Sequence, residues 1–342
     1  MNTQITLKDI AVMAGVSKTV VSKVLSNDRN FSVAEKTRLT ILELVKTHNY
    51  VPRASARSLA CGRSRQLGFF LSSATTMGLT NLHFGQILSG MVKACADHDY
   101  GCVVNAYDFS QLDSLLAERN LLSRNIDGCV LCGFCSREQL EQISRFQIPT
   151  VLIGAENFNQ HIPCLYGKPE SIYREVFDFF EAQGHYDVWL GKPESYDYRV
   201  AHEIAAERPH FKVRILDRTG EDEFAYGVHY AKEFLSMPTK ERPTMLWASD
   251  HFAMSFLREI FRAGLKCPDD ISVLAEDTQL TEWYNPPLSV TKAYNYELGV
   301  AGVSLLVEWL EKNLSFAEAR ELAEKYCFTK PVINRESIKK LK

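Results

Sequence analysis

Five side chains within nine residues, Lys18, Thr19, Ser22, Lys23 and Ser26, carry the most telling chemistry in this 342-residue sequence. Short hydroxyls beside long cations are the groups that reach base edges and phosphates in a DNA major groove. They are what remains on the outer face of a helix once Val16, Val20, Val21, Val24 and Leu25 form its apolar set. The stretch Thr6 to Ser26 supplies the elements that must hold that helix out. Thr6 and Asp9 have the spacing of a capping box, and Asp9 suits the positive end of a first helix. Ile10, Ala11 and Ala14 face inward, and small Ala11 allows a steep, close crossing of two helices. Gly15 falls where the turn between them needs positive φ, and Ser17 caps the second helix.

The run Thr6-Leu-Lys-Asp-Ile-Ala, Ala14-Gly-Val-Ser and Val20-Val-Ser-Lys-Val-Leu25 resembles the headpiece of the lactose/galactose-repressor (LacI/GalR) family of bacterial transcription regulators. An Ala-x3-Gly-x5-Val pattern alone fits any helical corner, but charge agrees with the resemblance. Residues 1–65 hold eleven Lys or Arg against four acids, +7, while the rest hold 28 against 38, −10, for a net −3. A cationic head on an anionic body suits a polyanion grip confined to one end.

Along the chain, 27–30 is a polar loop, Ser32 and Glu35 have capping-box spacing, and a third helix follows through Lys46, with Leu39, Leu42 and Val45, beside Ile41 and Leu44, expected to close a three-helix core. The headpiece is bounded at 1–50. Tyr50-Val51-Pro52 ends it, and 51–64 resembles the family's hinge. By that resemblance Arg53, Ala56 and Arg57 meet the operator and Leu59 wedges into the minor groove, where unstacking is offset by the bend it permits. A flexible basic linker is the plainer reading of the same residues. Thr6, Ser17 and Asn30 complete the expected DNA-binding set.

From residue 65 to 342 strands and helices alternate, which implies parallel sheets with helices on both faces. Strands are expected at 67–71, 101–105, 128–132, 150–153, 188–191, 213–216, 245–248 and 271–274, and helices at 84–98, 112–123, 172–183, 199–207, 227–235 and 253–263. The fold class is a small all-α helix-turn-helix headpiece plus an α/β body of two doubly wound, parallel-sheet lobes resembling periplasmic binding proteins. The resemblance sets lobe 1 at about 65–164 and 292–325 and lobe 2 at about 165–291 and 326–342, with a ligand cleft at the carboxyl ends of the strands. It assigns to the effector Phe84 as a stacking platform, Arg199 as a guanidinium fork, Ser249 and Asp250 at one strand end, Glu276 and Asp277 after another, and Trp283 at the rim. Asp250 as a helix cap and Phe84 as core are the plainer alternatives. The chain departs from the family at Arg199-Val-Ala-His-Glu, at the shortened Glu276-Asp277 strand end and at Tyr166-Gly167, which points to an unusual effector or a weakened site.

Cys129, Cys132 and Cys135 have C-x2-C-x2-C spacing, but on a strand Cys129 and Cys132 point to opposite faces. Neither a metal nor a cofactor is therefore expected, and no nucleophile, Walker or paired-histidine pattern proposes an enzyme. A polar start and the lack of a long apolar run predict no signal peptide and no membrane span, hence a cytoplasmic protein. The expected partners are double-stranded operator DNA, a sugar-like effector and a second copy of the chain, since the family's tetramer-forming leucine tail has no counterpart here. Two alternatives stand beside this reading: a metal- or redox-sensing regulator using the three cysteines, and a small-molecule binding protein with a vestigial DNA head.

Overall fold

The computed structural model describes residues 5–25, 31–50, 63–73, 75, 77–107, 125–133, 137–153, 162–165, 169–191, 198–217, 222–326 and 328–341. The chain divides into two units, 1–65 and 66–342.

In the first unit α1 (Leu7–Ala14), α2 (Lys18–Leu25) and α3 (Glu35–Thr47) enclose Ile10, Ala11, Val21, Val24 and Ile41. The capping box forms as expected: the Thr6 backbone N–H donates to Asp9 Oδ2 at 2.9 Å, and the Asp9 N–H donates to Thr6 Oγ1 at 3.3 Å. Gly15 takes φ +65°, where a side chain would be strained, and its N–H closes α1 on the Ala11 and Val12 carbonyls. Two expectations fail on α3. No Ser32 cap forms, because α3 starts from Ala34, which offers no side-chain bond. Leu39 and Leu42 are 59% and 43% exposed, and Ile41 fills the core with Leu44 and Val45 beside it. The apolar run is wider than one helical face, and the face of Ile41 is the one that meets α1 and α2.

The second unit holds two sheets. β1 (Gln66–Ser72), β2 (Gly101–Tyr107), β3 (Gly128–Cys132), β4 (Thr150–Ile153) and β5 (Cys164–Leu165) form an all-parallel sheet in the order β2-β1-β3-β4-β5. Around it lie α4 (Leu82–Asp97), α5 (Arg137–Ser144), α10 (Asn295–Lys312) and α11 (Phe316–Ala323), with α6 to α9 reserved for the other lobe. That lobe comprises β6 (Asp187–Gly191), β7 (Lys212–Ile215), β8 (Met245–Ala248), β9 (Ser272–Glu276), β10 (Ser289–Thr291) and β11 (Val332–Ile333), ordered β11-β10-β9-β8-β6-β7, with α6 (Pro169–Gln183), α7 (Tyr198–Ala206), α8 (Glu223–Ser236) and α9 (Asp250–Arg262). Only β11, among these, runs antiparallel to its neighbour. The chain passes between the lobes after β5, after β10 and before β11. The helix expected at 112–123 lies outside the described residues.

Both sheets bury both faces, as parallel sheets do. Alternation divides β1 so that Phe69 joins one core and Phe70 the other. In the second lobe Trp189, Leu246 and Val273 pack toward Phe252 and Phe256 of α9, whereas Val188, Met245 and Trp247 pack toward Phe177 and Phe180 of α6. In the first lobe α10 crosses α4 closely enough that a Cβ on Gly299 would stand 2.0 Å from the Ile87 carbonyl oxygen, and one on Gly90 2.0 Å from that of Tyr296. Gly299→Ala is expected to lower the stability of the body by about 1–3 kcal/mol, since backbone must give way. An unchanged melting temperature would show that the two helices slide apart freely.

Candidate functional site

The headpiece presents its expected groups unevenly. Lys18 and Thr19 open α2 exposed, while Ser22 and Lys23 are half-buried one turn on. Lys23 Nζ lies 5.0 Å over the Phe31 ring, a cation–π contact that steadies a long side chain at the surface. Ser17 spends its Oγ on the Val20 N–H at 3.3 Å, and Thr6 spends its hydroxyl on Asp9 at 2.6 Å, so both act first as helix caps. What α2 offers to a groove is thus a cation and a hydroxyl at its amino end, where the helix dipole also favours a phosphate. Ser26, Asn30, Arg53, Ala56, Arg57 and Leu59 lie outside the described residues.

In the body the carboxyl ends of β9 and β10 meet the amino end of α4 from the other lobe. Glu276, the last residue of β9, lines a narrow pocket with His83 of α4, Thr291, Ala293 and Lys330. Both lobes and the return crossover therefore contribute to one cavity. Burial drives the half-buried His83 imidazole down to about 4, against the pull of Glu276 and Glu223, so it is neutral at physiological pH and free to donate or accept one hydrogen bond. Burial also lowers Lys330, with Glu276 opposing the shift.

Beside this pocket Ser249 caps α9 through the Phe252 N–H at 3.3 Å and donates to Glu223 Oε2 at 2.7 Å. The cap is Ser249 and not Asp250: Asp250 is the first residue of the helix, which begins three residues before the expected start at Ala253. Burial raises the Asp250 carboxyl, as do the charges of Glu223 and Glu276, with His251 opposing. Burial alone would lower the His251 imidazole, but Glu223, 3.5 Å from its Nδ1, and the charges of Asp250 and Asp222 hold it above its ordinary value.

The other expected effector residues are placed differently. Asp277 is committed to protein partners: it accepts from Lys292 Nζ at 2.7 Å and from Thr281 Oγ1 at 3.4 Å, with Arg335 4.0 Å away. Trp283 is 81% exposed and is not among the described residues that line the pocket. Phe84 is half-buried, packs on the core of its own lobe and meets the His83 ring edge-on at 4.8 Å. Arg199 sits in the first turn of α7, and its side chain lies outside the described residues. His83, Glu223, His251 and Lys330 had no signal in the sequence beyond their type, because their neighbourhood is assembled from distant segments.

Cys129 and Cys132 are buried on opposite faces of the first sheet, Cys129 with Phe70 and Leu131, Cys132 with Phe69 and Val130. Burial pushes the Cys129 thiol up to about 12 and raises Cys132 further, so neither is a ready thiolate. Cys135 lies outside the described residues. No described helix is long and apolar enough to cross a membrane.

Comparison with known proteins agrees with both halves. Residues 6–53 match the model of bacterial regulatory proteins of the lacI family, and 170–338 match that of periplasmic binding protein-like domains. The chain is 27% identical over 348 residues to the probable HTH-type transcriptional repressor ExuR of Bacillus subtilis, covering 98% of this chain and 99% of that one. Its fold is like that of the lac repressor dimer bound to operator and the anti-inducer ONPF, with a TM-score of 0.75 at 22% identity over 97% of this chain and 98% of that one. It is also like that of the transcriptional regulator CelR in its cellobiose complex, at 0.62 and 18% over 97% and 99%. With a capped helix-turn-helix at one end and two parallel-sheet lobes enclosing a polar pocket at the other, the chain belongs to the lacI family of bacterial regulatory proteins.

Proposed function

We propose that this protein is a cytoplasmic repressor of genes for carbohydrate use, a regulator and not an enzyme, that reads a near-palindromic operator with Lys18, Thr19, Ser22 and Lys23 and answers to a sugar-like molecule in the pocket between its lobes. As a homodimer it places two copies of α2 in successive major grooves. The hinge residues Arg53 and Arg57 meet the backbone between them, Ala56 lets the two hinges approach closely on the operator, and Leu59 opens the minor groove. The single observation that carries the reading is the capped, glycine-turned helix pair with Lys18 and Thr19 exposed at the start of the second helix. The cellobiose of the CelR complex supports a saccharide, and the neutral His83 beside Glu276 and Thr291 suits hydroxyl groups.

The lobes and the headpiece are coupled through one free energy. An effector that prefers one arrangement of the lobes by a few kcal/mol shifts operator affinity by the same factor, and operator shifts effector affinity in return. Exchanging Lys18 and Thr19 together for another pair of types is expected to change the operator selected from a randomised pool, each base contact contributing about 1–3 kcal/mol of discrimination. An unchanged consensus would remove those two residues from the reading surface.

A further inference from the structure

Glu223, Asp250 and His251 meet where α8 and α9 begin, yet they do not satisfy one another. His251 Nδ1 stands 3.5 Å from Glu223 Oε2 and 3.6 Å from Asp250 Oδ1, too long for good N–H···O bonds. Those separations fit a different geometry. Around a tetrahedral zinc ion with bonds of about 2.1 Å, neighbouring ligand atoms stand about 3.4 Å apart. One ligand atom from each of the three residues falls within 4.8 Å of the others, the spread of a site that an ion would draw together.

The surroundings have the form of a metal site's outer shell. Ser249 Oγ donates to Glu223 Oε2 at 2.7 Å and fixes the carboxylate's direction, the part that outer hydrogen bonds play at metal centres. The residues are one-fifth exposed or less at the side chain, so the two carboxylates sit together with little water, a placement that favours a divalent cation. The Tyr284 hydroxyl is buried with no hydrogen-bond partner among the described residues, and Asp250 is the charge that acts on it. An orphaned buried hydroxyl costs about 1–3 kcal/mol.

We propose that Glu223, Asp250 and His251 form a zinc-type divalent metal site beside the ligand pocket, with the fourth position left for an oxygen of the ligand. The site is separate from the cysteine run and departs from the metal-free expectation. It deepens the effector reading above: the ion anchors a hydroxyl or carboxylate oxygen and so favours polyols and sugar acids that chelate.

Cobalt(II), which takes zinc's place with a visible spectrum, is the probe. The full-length chain is stripped with chelator, titrated with Co2+ and then challenged with Zn2+. The expected result is about one ion per chain with the intense bands of tetrahedral cobalt, displaced by zinc. His251→Gln should weaken binding at least about a hundredfold, and Ser249→Ala, which keeps all three ligands, about 10- to 100-fold. Melting curves of the metal-free variants report folding, and Ser249→Ala decides the matter if His251→Gln does not fold. Absence of stoichiometric cobalt, affinity that both substitutions leave unchanged, or a thiolate-to-cobalt band would each overturn the site. Operator binding on the same samples separates the two readings: a chain that binds operator but no cobalt refutes the metal site alone, and one that binds cobalt but no operator refutes the regulator alone.

Discussion

Ile41→Ala should abolish operator binding while leaving the body folded. Ile41 is the fully buried residue of α3, packed among Ile10, Ala11, Val21 and Val24 with Leu44 and Val45 only partly buried beside it. Removing its side chain costs about 2–5 kcal/mol in transfer and cavity energy. A single core this small supplies only about 3–5 kcal/mol in total, so the headpiece falls to the edge of unfolding. The outward presentation of Lys18 and Thr19 depends on that packing and not on α2 alone, since eight residues cannot hold a helix by themselves. Calorimetry of the full chain should therefore lose or shift the headpiece transition and keep the body transition, with specific DNA affinity lost in a salt-matched titration. Undiminished operator affinity would show that contact with DNA supplies the missing stability. Leu39→Ala is the control: at 59% exposure it should change little in the free protein.

That pair of substitutions also marks what the sequence makes legible and what it does not. Local chemistry is legible: the Thr6–Asp9 box, the positive φ of Gly15 and the Ser17 cap are each set by residues within four positions, and all three form. The existence and parallel type of the strands are legible, since buried parallel strands read as short apolar runs between helices. The face of α3 is not, because Leu39, Ile41, Leu42, Leu44 and Val45 outnumber the positions one face can bury and only packing partners select among them. The ligand pocket is the extreme case. Glu276 could be found at a strand end, but His83 and Lys330 join it from almost opposite ends of the body, and Glu223 reaches Ser249 from the preceding helix. Asp277 looked equivalent to its neighbour because the lysine that engages it, Lys292, arrives one strand later.

The adjacent residues Glu276 and Asp277 should accordingly part company when each is changed. Asp277 is buried and holds Lys292, Thr281 and the approach of Arg335, tying the loop after β9 to β10 and to the terminal segment. Asp277→Ala leaves two cations without their carboxylate. Lys292 is 38% exposed and can rehydrate, so the loss is tempered by solvent, and about 2 kcal/mol of body stability is the expected cost. Glu276 instead faces the pocket, where a carboxylate can take two hydroxyls of a sugar at once. Glu276→Gln removes charge-assisted bonds of about 1.5–3 kcal/mol, roughly 10- to 100-fold in affinity for whichever saccharide, sugar acid or sugar phosphate raises the wild-type melting temperature in a screen. Both variants are to be measured for chemical denaturation and for the concentration of that compound that shifts operator occupancy. The expected pattern is a crossed one, with Asp277→Ala losing stability and Glu276→Gln losing response. Equal ligand response in wild type and Glu276→Gln would move the effector out of this pocket. A stability loss for Glu276→Gln as large as that for Asp277→Ala would make both carboxylates scaffold, leaving recognition to His83 and the Glu223–Asp250–His251 group.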